Sequence, residues 1–120
     1  MPLDWSTGGL AAGLACYRNQ EFFAAHEHWE DVWNNLTGLE KIFLQALIQV
    51  TVAMHHYQQR NLPGAQSLLR RALQKLERCP ECFAGVDVTS LAADLGIWLT
   101  ALENQLTSLP RFPVIRLTDG

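Results

Sequence analysis

The run Phe43-Leu44-Gln45-Ala46-Leu47-Ile48-Gln49-Val50-Thr51-Val52-Ala53-Met54-His55-His56-Tyr57 decides the fold. Phe43, Leu47, Val50, Met54 and Tyr57 recur at offsets of three and four, so they share one side of a helix. Leu44, Ile48 and Thr51 widen that side to well over half the circumference. A helix apolar over so much of its surface packs against several neighbours at once, which makes this segment the centre of an all-α bundle. The apolar stretch Ile42 to Met54 is interrupted by Gln45, Gln49 and Thr51 and is too short to span a bilayer, so no membrane is expected as a partner.

Outward from this helix, predicted over about Leu39 to Arg60, the pattern repeats. Upstream, Leu10, Leu14 and Tyr17 predict a first helix from about Thr7 to Arg18, with Gly8, Gly9 and Gly13 weakening its start. A second helix covers roughly Glu21 to Asn35. Its end is assigned to Thr37-Gly38, with Gly38 suited to a left-handed cap. Downstream, Asn61-Leu62-Pro63-Gly64 turns the chain into a fourth helix from about Pro63 to Arg78, with Pro63 suited to its first turn. Cys79 to Gly85 reads as a loop. Asp87 is the expected N-cap of a fifth helix running to about Leu106. The Pro-containing tail, Leu109 to Arg116, cannot be helical, and its Phe112, Val114 and Ile115 should strap it across the bundle. No segment alternates at period two, so no sheet is expected. The whole, residues 1–120, reads as one compact bundle of about five helices with an extended tail over 107–120.

Composition narrows the function classes. At 48% hydrophobic and 18% charged the chain is globular rather than disordered. Net charge is −3 and no basic stripe is visible, so nucleic acid is not an expected partner. The N-terminus lacks the basic start and apolar core of a signal peptide, and three cysteines suit a reducing compartment, which together predict a cytoplasmic protein. Cys79 and Cys82 have the C-x-x-C spacing, but a zinc site wants four ligands and a redox pair wants a βαβ context. Their role is left open.

The candidate chemistry sits in Phe22-Phe23-Ala24-Ala25-His26-Glu27-His28-Trp29-Glu30-Asp31-Val32-Trp33. On a helix, Phe22, His26, Trp29, Glu30 and Trp33 share a face, placing a histidine and a carboxylate one turn apart among large aromatics. Phe22, Trp29 and Trp33 are the expected core anchors. His26 and Glu30, with Glu27 beside them, could form a buried hydrogen-bonded network, ligate a divalent metal, or work as an oriented base. A Glu-x-x-His carboxylate bundle is approached but not matched, because the order here is reversed and no second half-site exists. On the central helix, His55 falls near the apolar margin and His56 on the polar stripe with Lys41, Gln45 and Gln49. Antiparallel pairing about Thr37-Gly38 sets Gln49 opposite His26, while His55 lies about 9 Å further along at 1.5 Å per residue. A His26–Glu30–Gln49 contact is thus easier than the metal set His26, Glu30 and His55.

The same residues carry a resemblance. Phe22 to Trp33, then Phe43 to Gln49 with Ala53-Met54-His55-His56, then Asn61-Leu62-Pro63-Gly64-Ala65 with Leu68-Leu69 and Ala72-Leu73, resemble the successive blocks of a small bacterial helical family, domain of unknown function 309. His26-Glu27 with Trp29, Glu30 and Trp33 is the specific part. The match covers about Tyr17 to Leu76 and more loosely the fifth helix, giving a family-like core of about 17–106. Gln20 departs from the pattern, where the family is expected to carry a glycine turn. The resemblance implies an all-helical fold with no established activity, and it marks His26, Glu27, Glu30, Gln45 and His55 as motif positions. The expected function is a small helical protein with a buried, structural His/Glu cluster and a binding or scaffold role. The alternative is a metal-dependent or acid–base hydrolase-like enzyme using that cluster. The first needs no cofactor, the second admits a divalent metal, and both leave a homo-oligomer open.

Overall fold

The computed structural model describes residues 3–105 and 109–118. Five helices carry the fold: α1 (Gly8–Arg18), α2 (Phe22–Trp33), α3 (Gly38–Gln58), α4 (Leu62–Leu76) and α5 (Val88–Glu103). Each packs chiefly on the next, α1 on α2, α2 on α3, α3 on α4 and α4 on α5, so the chain is all-α with α3 in the middle. Phe43, Leu44, Leu47, Val50, Ala53 and Met54 of α3 are fully buried. Thr51 is buried with them, its hydroxyl satisfied by donating to Ile48 O at 2.7 Å. The small Ala46 and Ala53 let neighbouring helices approach a central rod that has almost no solvent side.

The helix ends follow local chemistry. Asn61 caps α4 by accepting from the Gly64 amide at 3.1 Å, and Asp87 caps α5 by accepting from Ser90 N at 3.0 Å. At the ends of α1 and α3 the chain reverses through left-handed residues, Gln20 at φ 63° and Arg60 at φ 62°. In each the next amide closes a six-residue loop, Glu21 N to Cys16 O and Asn61 N to His56 O, both at 2.8 Å.

Three expectations are corrected here. Gly38 does adopt a left-handed φ of 64°, yet it opens α3 rather than closing α2, which stops at Trp33 with Asn34 as its C-cap. The loop from Cys79 contains a minimal antiparallel hairpin, β1 (Cys82–Phe83) and β2 (Val86–Asp87), with Cys82 opposite Asp87 and Phe83 opposite Val86. Strands of two residues are too short to leave a period-two signal. Ala84 and Gly85, at φ 52° and 77°, make the turn in the handedness a tight hairpin requires. Finally, α5 ends at Glu103, and Leu106 lies outside the described residues.

The tail runs across the bundle. Phe112 stacks on Trp98 (5.6 Å, 12°) and meets Phe22 edge-on at 5.1 Å. Its backbone is held throughout: Trp98 Nε1 donates to Arg111 O at 2.8 Å, Val114 N to Asp94 Oδ2 at 3.0 Å, and the Tyr17 hydroxyl to Pro113 O. Beyond Arg116 it joins the hairpin, Leu117 bridging to Val86. Burial drives the Tyr17 hydroxyl well above its ordinary value near 10, and the Asp94 carboxylate adds to the effect.

Candidate functional site

α2 buries the stripe Phe22, Ala25 and Trp29, at offsets 0, 3 and 7. Trp29 and Glu30 are consecutive, so a helix sets them about 100° apart and both cannot occupy the middle of one buried face. The result corrects the expected burial of the pair. The His26 side chain retains 17% of its exposure and Glu30 54%, while their Nε2 and Oε1 atoms lie 3.3 Å apart at the surface. His26 Nδ1 faces Phe23 O at 2.9 Å, so both ring nitrogens are engaged within α2 itself. Glu27 is on the exposed side. Trp33 is half-buried rather than a core anchor. Its indole N–H donates to Lys41 O at 3.1 Å, and Lys41 Nζ sits 4.3 Å above its ring.

The cross-helix contacts also differ from expectation. His26 does not bond Gln49, whose Oε1 is buried with no hydrogen-bond partner among the described residues. His26 and His55 are separated by the ring of Phe23, at 5.0 Å from the first and 5.4 Å from the second. Phe23 is itself 53% exposed, giving an aromatic–imidazole patch rather than a ligand set. Among the described residues no three His, Cys, Asp or Glu side chains converge to hold a metal ion, so His26, Glu30 and His55 do not assemble as the three-ligand site. His56 pairs with Asn61 at 3.2 Å.

What the α2–α3 junction does build is a cleft of about 280 Å³, lined by Glu30, Trp33, Asn34, Gln45 and Ile48. The geometry follows from the two helices diverging from the Asn34–Thr37 connection, with polar Gln45 and apolar Ile48 facing Glu30 and Trp33 across the gap. Glu30 and Gln45 were legible as candidates. Asn34 and Ile48 were not, because one looked like a helix end and the other like core. A larger groove of about 740 Å³ lies along α5, lined by residues such as Ala93, Gly96, Ile97, Thr100 and Leu109. None of its lining residues is titratable, whereas the smaller cleft carries the Glu30 carboxylate and lies between the two helices that hold the candidate residues.

The thiols stand apart. Cys16, Cys79 and Cys82 are free. Burial pushes the Cys79 thiol up, against a smaller opposing effect of Arg78, which is the wrong direction for an activated nucleophile.

Comparison with known proteins places this cleft inside the matched region. Residues 10–68 match a family model described as "Domain of unknown function (DUF309)", a span from α1 to the middle of α4 that contains all of α2 and α3. A protein of Aquifex aeolicus (strain VF5), named only as uncharacterized, is 29% identical over 76 residues. That match takes in 62% of this chain and 23% of the relative, so the chain spans about a quarter of the length of the curated relative it matches. No helix among the described residues is long and apolar enough to cross a membrane.

Proposed function

The chain belongs, over residues 10–68, to the family of the domain of unknown function DUF309, and from that premise we propose that it is a small-ligand binding module whose site is the α2–α3 cleft. The observation that carries the reading is the cleft's lining, in which Glu30 and Trp33 of α2 meet Gln45 and Ile48 of α3 across the junction of two helices. Small-molecule sites pair an apolar wall with a few convergent polar groups, and Trp33 with Ile48 supply that wall. Gln49, one helical turn from Gln45, has a buried carbonyl oxygen with no partner among the described residues, though it lies outside the lining.

The test is a fragment screen read by amide and indole NMR shifts. Bound fragments are expected to move the Trp33 indole and the Asn34 and Gln45 side-chain amides. Gln45→Ala should abolish those shifts while altering folding stability by no more than about 0.5 kcal/mol, since the position is not core. Fragments that map only to the α5 groove, or none that bind, would overturn the proposal.

The enzyme reading has one observation in its favour, the His26 ring held in place by Phe23 O. Against it, neither His26 nor His55 lines the cleft, and Nε2 of His26 lies 3.3 Å from the half-exposed Glu30. His26→Ala should therefore cost under about 1 kcal/mol, the scale of an exposed i,i+4 pair, with helical content retained and ligand shifts in the cleft preserved.

A further inference from the structure

The cleft's chemistry is lopsided, and the bias names a ligand class. Its lining offers one carboxylate, Glu30, two side-chain amides, Asn34 and Gln45, one indole face and one aliphatic wall, and no cation. Glu30's one ion-pair partner among the described residues is His26, at 3.3 Å, and the carboxylate remains half exposed toward solvent. Trp33 already holds an ammonium group over its ring, Lys41 Nζ at 4.3 Å, an arrangement that a ligand cation can reproduce only in its place. One turn beyond Gln45, Gln49 Oε1 is a buried acceptor with no donor. The surroundings lean acidic, with Lys41 the nearby exception. Residues 19–40 contain Glu21, Glu27, Glu30, Asp31 and Glu40 but no lysine or arginine.

Taking the binding reading as given, we infer that the α2–α3 cleft binds a small organic cation, an ammonium or guanidinium group on a short aliphatic body. The cationic N–H groups donate to Glu30 and the amide oxygens of Asn34 and Gln45, the charge takes the place of the Lys41 ammonium against the Trp33 ring, and the aliphatic body covers Ile48. An anion would meet Glu30 directly and a purely apolar molecule would strand the amides. The cleft volume, about 280 Å³, lies just below the usual range of small-molecule sites and limits the body to a few carbons.

The experiment uses the whole chain and four probes at constant ionic strength: n-butylammonium, n-butylguanidinium, n-butanol and butyrate. Titrations are followed by shifts of the Trp33 indole and the Asn34 and Gln45 side-chain amides. The two cations are expected to bind with Kd of about millimolar, as befits so few atoms, and to bind about tenfold or more tighter than butanol and butyrate. Glu30→Gln keeps the shape and removes the charge, and it should weaken the cations about three- to tenfold. Asp31→Asn, one residue away and outside the lining, should leave their affinity within about twofold, which separates contact from general field. Trp33→Leu should weaken them as Glu30→Gln does. Butanol or butyrate binding as well as the cations, or Glu30→Gln retaining full affinity, would overturn the cation assignment while leaving the cleft a binding site. Silence from all four probes and from the fragment screen would overturn both readings.

Discussion

Gln20 shows how a single residue can hold a fold together while disagreeing with its own conformation. It sits at φ 63° at the reversal after α1, a conformation that costs a residue with a Cβ about 1 kcal/mol and costs glycine almost nothing. The resemblance had singled out this position as one where a glycine was expected, and the backbone explains the expectation. Gln20→Gly should raise unfolding free energy by about 0.5–1 kcal/mol in urea titrations, since the side chain is exposed and makes no cap of its own. An unchanged or lowered midpoint would show that the left-handed turn carries no strain worth relieving. At the same scale, His26 was legible as a residue with partners but not as one paired to a half-exposed carboxylate. Its ring turns back on its own helix instead of crossing to α3, because Phe23 O and Glu30 lie within reach at no cost in helix register.

Among the elements, the α1–α2 pair depends on what α1 lacks. Gly13 is buried, and a Cβ there would overlap the Trp29 indole, whose N–H donates to Leu10 O at 3.3 Å. Trp29 also stacks near Tyr17 and meets Trp5 edge-on, each at 6.1 Å, so it has no room to yield. Gly13→Ala gains about 1 kcal/mol of helix propensity but forces α1 away from α2, and the net loss expected in thermal or urea unfolding is about 1–3 kcal/mol. From sequence alone these glycines read as a weak helix start, since propensity scales know nothing of the partner helix. The apolar faces of α3, α4 and α5 were legible because each repeats over several turns. The hairpin was not, because four residues cannot establish a period, and neither was the cleft, because it depends on how far two helices diverge after a connection. The sequence reading placed Gln49 opposite His26 from distance along the chain alone; the rotation of each helix about its own axis decides whether such neighbours touch.

At the scale of the whole molecule, the tail ties α1, α5 and the hairpin together, and Tyr17 is its most buried polar fastening. Burial holds the Tyr17 proton in the folded state to pH values above its ordinary 10. The native protein thus binds one more proton than the unfolded chain once pH exceeds about 10, and stability falls as pH rises through that window. Urea unfolding at about pH 9 and about pH 11 should show a drop for the wild type that is smaller in Tyr17→Phe. At about pH 9 that variant should already be about 1–2 kcal/mol less stable, having left Pro113 O without its donor.

The hairpin turn is also a meeting point. Trp5 Nε1 donates to Ala84 O at 2.7 Å, and Thr118 N donates to Gly85 O at 2.8 Å. The first and last described segments are therefore pinned to the same two-residue turn. A change that reshapes Ala84-Gly85 would slacken both segments at once, as one loosened knot frees two cords.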